Sequence, residues 1–505
     1  MTTVHEENER KYDGALDGPL TADGLSEVSG VVPGGTEKLN AVYFDTPDLR
    51  LLRSGITLRR RSGGGDAGWH LKTPGSNGIR VETRLPLEAG HRRRPPKELV
   101  RLVRGTARGE RLAPVARLKT ERTVTLLVDA ERRTLAEMVR DRVSATAPSG
   151  ADTAPGTGPT VWTETEVELA AGDPGLLDEV EERLRAGGLR RSAASSKLGR
   201  VLGERLDEPA GRAEPPAGSV AAALTAYLRE QVAAVHSLDP AVRLDRPDSV
   251  HRLRVTVRRI RSALAAHRKL LDRSVTDPLD EELRRFGKVL GRARDAEVLG
   301  ERLAEQASGL PAAGRPAEVS ARISARYARR YRRAHQTALQ AMDGRRYFAL
   351  LNALDGLAAR PPLRKRARRG TSEARRVLER QRRRAVRRLG SALDLSPGPD
   401  RDKALHRARK AAKRARYAAE CAAPAAGRPA GELRKRMKRI QQPLGAHQDG
   451  VVAEPAIVDS AAGARRHGED TFGYGLLYAA QRAHEEQQVA DAAKARRKAR
   501  KKVTG

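Results

Sequence analysis

Cysteine occurs once in the 505 residues, as Cys421, and tryptophan twice. A lone thiol cannot close an internal disulfide, and without a second thiol it gives no basis for a structural zinc site. Both facts fit a reducing compartment, and the cytoplasm is the expected location. Aromatic residues make up 3% of the chain, too few to stack unpaired bases on ring faces as single-strand binders do. A duplex binder that touches only phosphates needs few aromatics, so nucleic acid is demoted as a partner and not excluded. No window approaches the roughly 20 apolar residues of a membrane span. The opening MTTVHEENERK has no apolar core of a leader, so no membrane partner is expected.

Positive charge is abundant: Lys+Arg number 98 against 64 Asp+Glu, a formal net charge of +34. Such a surplus steers polyanions toward the chain, and polyphosphate joins nucleic acid and anionic membranes as an admissible partner. The length predicts at least two domains. Residues 4–205 alternate in short segments broken by Gly and Pro, such as SGITLRRR, GWHLKT and VWTETEVELA, and read as strands. From 219 to 490 the chain is rich in Ala, Leu, Arg and Glu at a period near 3.6 and reads as helices. The Pro/Gly-rich stretch 206–218 is the expected linker, 144–159 a mobile loop, and 491–505 a basic disordered tail. The expected fold is α+β in two domains, an antiparallel β unit followed by an all-α unit.

Alternate side chains of a strand share a face. Glu7, Glu9 and Lys11 therefore project together, as do Arg59 with Arg61, His70 with Lys72, Arg80, Glu82 and Arg84, and Glu164, Glu166 and Glu168. The opposite face is apolar in several cases: Ile79, Val81, Thr83 and Leu85, or Val161, Thr165, Val167 and Leu169. Alternation of this kind commonly means a charged face in water. Rows of cations beside rows of carboxylates also suit a lumen that holds a polyphosphate with Mg²⁺ or Mn²⁺, whose hard charge prefers oxygen ligands.

The run Glu7-Asn8-Glu9-Arg10-Lys11 resembles the ExExK signature of the CYTH family of triphosphate tunnel metalloenzymes. Tyr43-Phe44-Asp45-Thr46-Pro47-Asp48-Leu49-Arg50-Leu51, Gly55 to Arg61, Leu71-Lys72 and the Glu164-x-Glu166-x-Glu168 strand follow in that family's order. The resemblance implies an eight-stranded antiparallel tunnel, a β-barrel that binds triphosphate and cleaves it with divalent metal. By position, Glu7, Glu9, Glu166 and Glu168 would hold metal, with Glu7, Glu9 and Lys11 carrying the chemistry. Lys11, Arg59, Arg61, Lys72, Lys119 and Arg122 would clamp phosphates, Lys197 matches a late lysine of the family, and Asp141 is a weaker match. Glu121 departs from the pattern: it stands where a further basic residue is common, which predicts a carboxylate beside the clamp and counts against turnover.

The helical half contains an internal repeat. Val250-His251-Arg252-Leu253-Arg254 to Arg261 returns as Leu405-His406-Arg407-Ala408-Arg409 to Arg416, an offset of 155 from His251 to His406. Leu290-Gly291 to Asp295 returns as Leu444-Gly445 to Asp449, an offset of 154. On a helix, His251, Arg254, Arg258 and Arg261 fall within an arc of about 80°, as do His406, Arg409, Lys413 and Arg416. Each cationic stripe abuts an apolar one, Val250, Leu253, Val257, Ile260 and Leu264 in the first copy, and lacks the i,i+4 glutamates that would neutralise it. Side-by-side cations at a packing boundary repel, and an anionic ligand would relieve them. Asp295 and Asp449 read as groups that orient a neighbouring arginine or cap a helix, rather than as catalytic acids. The runs Arg364 to Arg369 and Arg380 to Arg388 read as general surface charge, since their spacing goes round the helix and selects no face, with a widened anion path as the alternative.

The repeated His-x-x-Arg-x-x-x-[Arg/Lys]-Arg-x-Arg followed by Leu-Gly-x-x-x-Asp resembles the CHAD family, which implies two related helical bundles around a basic cavity that binds inorganic polyphosphate. His251, Arg254, Arg258, Arg259, Arg261, His406, Arg409, Lys413, Arg414 and Arg416 would bind it, and a granule of polyphosphate is a natural place of association. Three readings follow: a polyphosphate binder whose tunnel binds a triphosphate end, with hydrolysis left open; an active triphosphatase with the helical domain docking substrate; and a backbone-contacting nucleic-acid binder.

Overall fold

The computed structural model describes residues 3–75, 80–147, 159–206, 214–482 and 485–500. Ile79, much of the expected linker and loop, and the last five residues lie outside the described residues. The chain divides into two compact units, 1–211 and 212–505.

The first unit is one antiparallel sheet of β1 (Thr3–Glu7), β2 (Glu9–Asp13), β3 (Gly30–Asp45), β4 (Thr57–Ser62), β5 (Gly68–Pro74), β6 (Arg80–Leu85), β7 (Ala113–Val128), β8 (Thr134–Thr146), β9 (Thr160–Leu169) and β10 (Arg190–Arg191). Their order is β1-β6-β5-β4-β3-β7-β8-β9-β2-β10. β1 and β2 are one run interrupted at Asn8: β1 pairs with β6, with Glu7 opposite Arg80, and β2 pairs with β9, with Lys11 opposite Glu166. The first strand thus joins both ends of the sheet and closes it. Counted as a single strand, it leaves eight long strands and the two-residue β10, in agreement with the expected tunnel.

Helices α1 (Arg50–Arg53), α2 (Lys97–Val103), α3 (Leu176–Ala186) and α4 (Lys197–Leu202) accompany the sheet. Leu99 and Val103 of α2 cover Phe44, Leu58, Trp69 and Leu71, while Leu177, Val180 and Leu184 of α3 cover Tyr12, Leu127 and Val167. These apolar faces point outward beneath the helices, which leaves the alternate, charged residues facing the lumen. The Phe44-Asp45-Thr46 segment is architectural. The Asp45 carboxylate accepts the backbone N–H groups of Thr46, Leu51 and Leu52 at 2.7, 2.9 and 2.9 Å, fixing the turn into α1.

The second unit contains α5 (Val220–Arg243), α6 (Ser249–Ala266), α7 (Arg273–Ser308), α8 (Pro316–Met342), α9 (Arg345–Ala359), α10 (Thr371–Leu393), α11 (Pro399–Ala426), α12 (Arg428–Arg466), α13 (Phe472–Arg482) and α14 (Glu485–Ala499). The repeat is a structural one. Leu253, Val257 and Ile260 of α6 and Ala408, Ala412 and Ala415 of α11 are all buried. At an offset of 154, Leu279, Leu283, Phe286 and Leu290 of α7 correspond to Leu433, Met437, Ile440 and Leu444 of α12, again all buried. The first set packs in one core and the second in another.

The expectation of a disordered tail from 491 is corrected. α14 runs to Ala499, and Val489, Ala492 and Ala499 join the second core. Arg382 donates to the carbonyls of Ala499 and Arg500 at 3.0 and 2.6 Å and so caps its end. Small residues at helical spacing gave this amphipathic helix a narrow apolar edge that its basic composition hid. Among the described residues, no helix is long and apolar enough to cross a membrane.

Candidate functional sites: a charged tunnel and a cationic helical cleft

The charged rows of the sheet converge. Glu7, Glu9 and Lys11 from the split first strand, Arg59 and Arg61 from β4, Lys72 from β5, Arg80 and Arg84 from β6, Arg122 from β7, Glu166 and Glu168 from β9, and Lys197 from α4 line one cavity. They are not solvated faces. Glu82 is 0% exposed, Glu7 2% and Arg61 4%. α4 brings Lys197 to the wall because Leu198 and Leu202 pack against Leu118, Val143 and Trp162, and the Ser196 hydroxyl caps its first turn at Gly199 N–H, 3.0 Å.

The carboxylates form two groups. In the first, the Lys197 ammonium reaches Glu164 at 2.7 Å and both Asp141 and Glu166 at 2.9 Å. Arg122 donates twice to Asp141, at 2.8 and 2.7 Å, and Lys11 pairs with Glu166. Although burial opposes ionisation, Lys11, Lys197 and Arg122 hold Glu166 well below the usual carboxylate range. The oxygens of Asp141, Glu164 and Glu166 lie within 4.8 Å of one another and could hold a metal ion, but the Lys197 ammonium already serves all three.

The second group is Glu7, Glu9 and Glu168. Glu7 pairs with Lys72 at 2.7 Å, and Glu9 with Lys11 at 3.2 Å and Arg80 at 3.7 Å. Burial, and then the charge of Glu7, push the Glu168 carboxyl up to about 7. Mutually repelling oxygens of this kind are the donor set a hard divalent cation relieves. The four glutamates expected to share a metal are linked unequally: Glu7 and Glu9 raise Glu168, while Glu9 also shares Lys11 with Glu166, which is held by ammonium groups.

Two sequence expectations are corrected by strand parity. Lys119 is exposed, whereas Thr120 is buried and Arg122 lines the lumen. Positions 119 and 122 differ by an odd number and cannot share a face of a regular strand. Glu121 is exposed with Lys119 and lies across the ladder from Lys38 and Arg142, so it places no carboxylate beside the clamp. Tyr43 and Asp66 are lumen residues absent from the expected set, and Arg80 and Arg84, expected on a charged face, were assigned no part in the clamp. The alternation of Arg80, Glu82 and Arg84 was their signal. The lumen cations are crowded: burial, then Arg59 and Arg122, lower the Arg61 guanidinium to about 9. The Nε groups of Arg59 and Arg61 are buried without a hydrogen-bond acceptor.

In the helical unit the stripes of α6 and α11 meet. Burial, then Arg409, Arg258 and Arg254, lower the Lys413 ammonium to about 7, so both repeats contribute to one field. Arg254, Arg258, Arg261, Lys413 and Arg414 line one cleft with Asp280 and Asp295. Arg254 pairs with Asp295 at 3.1 Å and lies over Gly291, 3.5 Å from where a Cβ would stand; Arg409 lies 3.7 Å from the same point of Gly445 and feels Asp449. The Leu-Gly-x-x-x-Asp motif is thereby explained: glycine seats the guanidinium and aspartate, a turn later, orients it.

The repeats differ in what opposes their cations. Arg261 pairs with Asp280 at 2.8 Å and Arg259 with Glu420 at 2.8 Å. Among the described residues Lys413 and Arg416 have no carboxylate partner, and Arg434 occupies the position matching Asp280. Arg258 donates to the Tyr417 hydroxyl at 3.3 Å, and Arg416 stands 4.8 Å from the Tyr417 ring centre. Aromatic scarcity had drawn no attention to this residue. His251 and His406 are half-buried, and burial first, then Arg294 and Lys410 respectively, lower both imidazoles.

The CYTH domain family matches residues 7–197 and the CHAD domain family residues 226–457. An uncharacterized protein of Mycobacterium tuberculosis is 39% identical over 493 residues, covering 94% of this chain and 92% of that one. Human thiamine-triphosphatase is 40% identical over 73 residues, 14% of this chain and 29% of that enzyme. The structure of PptA from Streptomyces chartreusis covers 56% of this chain and 99% of its own, at 25% identity and a TM-score of 0.45. With both domains matched in order and a relative similar along nearly its whole length, the chain belongs to the family of proteins that join a CYTH domain to a CHAD domain.

Proposed function

We propose that the tunnel hydrolyses inorganic triphosphate with Mg²⁺ or Mn²⁺ and that the helical cleft binds inorganic polyphosphate. The observation that supports this reading best is the single lumen in which Arg59, Arg61, Lys72 and Arg122 share a cavity with Glu7, Glu9 and Glu168. Arg59, Arg61 and Arg122 bind phosphoryl oxygens and orient the chain along the lumen, and Lys72 bridges that row to Glu7. Glu7, Glu9 and Glu168 would hold the divalent cation, which supplies charge neutralisation and a lowered pKa for bound water. Lys11 fixes Glu9 and, through Glu166, ties the acidic group to the wall. In-line phosphoryl transfer depends chiefly on positioning and charge stabilisation, so no nucleophilic side chain is needed. The outward orientation of Glu121 removes the objection to turnover.

The cleft is suited to a linear polyanion because its lining cations outnumber its two carboxylates and nothing aromatic lines it for bases to stack on. The test is phosphate release from tripolyphosphate with Mg²⁺ or Mn²⁺, wild type against Glu7→Gln/Glu9→Gln. Metal-dependent release that is lost in the double variant supports hydrolysis. Tight binding without release in the wild type makes the tunnel a receptor and refutes that part of the proposal.

A further inference from the structure

The arginine run of α10 does select a face, contrary to the sequence expectation. Arg380, Arg384 and Arg388, one turn apart, are half-buried along one stripe, whereas Arg383 and Arg387 are exposed. The stripe spans roughly 12 Å at the helical rise. Arg382 and Arg383 are taken by Glu379, each at 2.7 Å, and Arg380 donates to the Ala266 carbonyl at 3.0 Å. Arg384 and Arg388 have no hydrogen bond or ion pair among the described residues. Burial, then Arg384 and Arg407, hold the Arg388 guanidinium below its usual value.

The stripe approaches the cleft through α11, which carries Arg414 and against which α10 packs. Arg414 lines the cleft, and after burial the charges that depress it most are Arg384 and Arg388, with Arg261 acting from the cleft side. The fold does not require these arginines. α5 aligns with α10 at an offset of 150, with Leu224, Tyr227, Leu228, Gln231 and Val235 buried where Ala374, Val377, Leu378, Gln381 and Ala385 are buried. At the positions of Arg380, Arg384 and Arg388 the first repeat carries Glu230, Ala234 and Leu238. A second repeat that replaces acidic and apolar residues with closely spaced, unneutralised guanidiniums accepts a repulsion that only a bound anion relieves.

We propose that Arg384 and Arg388 of α10 form a phosphate-binding track that continues the cleft through Arg414 and makes the domain prefer long polyphosphate chains over short ones. The inference rests on the proposed polyphosphate reading of the cleft. The groove these arginines line has no aromatic side chain, which favours inorganic polyphosphate over RNA. A short chain fills the cleft alone. A long one also occupies the track, and the second contact is gained at high effective concentration.

The test uses the full chain with Arg384→Gln/Arg388→Gln, and compares dissociation constants for polyphosphate of roughly fifteen phosphates and of several hundred at moderate salt. Expected is a loss of about ten- to thirty-fold for the long chain with little change for the short one, and a shallower salt dependence. An unchanged thermal melt shows that the variant folds. Arg409→Gln/Lys413→Gln is the companion variant and should weaken both lengths. If the companion weakens binding and the α10 variant leaves the long-to-short ratio unchanged, the track is refuted and the cleft stands. If the companion binds both lengths as wild type does, the polyphosphate reading itself fails. Loss of single-stranded RNA binding in the α10 variant with polyphosphate unaffected also overturns the proposal.

Discussion

The tunnel and the helical cleft are both cationic, yet they are built to different rules. Eight basic and five acidic side chains line the tunnel, whereas nine basic and two acidic ones line the cleft. In the tunnel the carboxylates are interleaved with the cations, as Glu7 is with Lys72 and Glu9 with Lys11, a mixture suited to both a phosphate chain and a hard metal ion. In the cleft the two aspartates each orient an arginine, Asp295 on Arg254 and Asp280 on Arg261. A site that binds a polyanion needs net charge. A site that cleaves one also needs acidic ligands that survive among the cations.

The largest expected effect separates the two directly. Glu7→Gln/Glu9→Gln should lower metal-dependent phosphate release from tripolyphosphate by about a thousand-fold or more, while long-chain polyphosphate binding by the cleft is retained; simultaneous loss of both in equilibrium binding would erase the distinction. Next, Lys197→Met leaves Asp141, Glu164 and Glu166 buried without their ammonium and should destabilise the tunnel by about 3–5 kcal/mol, read as a fall in Tm. An unchanged melt would mean that these carboxylates do not depend on Lys197.

Arg409→Ala/Lys413→Ala should weaken long-chain polyphosphate binding about a hundred-fold at moderate salt and leave triphosphate hydrolysis intact. Arg254→Ala/Arg261→Ala should cost less, because Asp295 and Asp280 already offset those cations. Equal losses would show that the repeats are equivalent. Polyphosphate affinity should also fall as pH rises above 7. The Lys413 ammonium stands at about 7 in the free protein, so above that value binding must take up a proton that the anion restores, a fall of up to about tenfold per unit. Lys413→Arg should flatten this profile. The same depression makes the unliganded fold gain stability between about pH 7 and the unfolded-state lysine value near 10.4, where the unfolded chain binds the extra proton. The smallest effect belongs to Lys119→Ala, which should leave tripolyphosphate turnover unchanged because the side chain lies outside the lumen.

Much of this was legible before the structure. Alternation put Glu7, Glu9 and Lys11 on one face, and the offset that pairs His251 with His406 put two cationic stripes on two related helices. Both signals are periodic, and periodicity maps directly onto a face. Lys119 failed for the same reason the others succeeded: motif matching ignored that its parity opposes Arg122. α14 was hidden because alanines at helical spacing in a basic segment give little hydropathy contrast.

The sequence by itself determined the two architectures, the charged faces of the first strand, α6 and α11, and the duplication, since each follows from local period and composition. Only the tertiary structure decided what those faces meet. Barrel closure through the interrupted first strand brought Lys11 and Lys197 onto Glu166 and left Glu7, Glu9 and Glu168 together. Packing of α6 and α11 turned two stripes into one field, and α10 laid Arg384 and Arg388 beside Arg414. Electrostatic partnership depends on distances between residues far apart in the chain, and those distances exist only once the chain has folded.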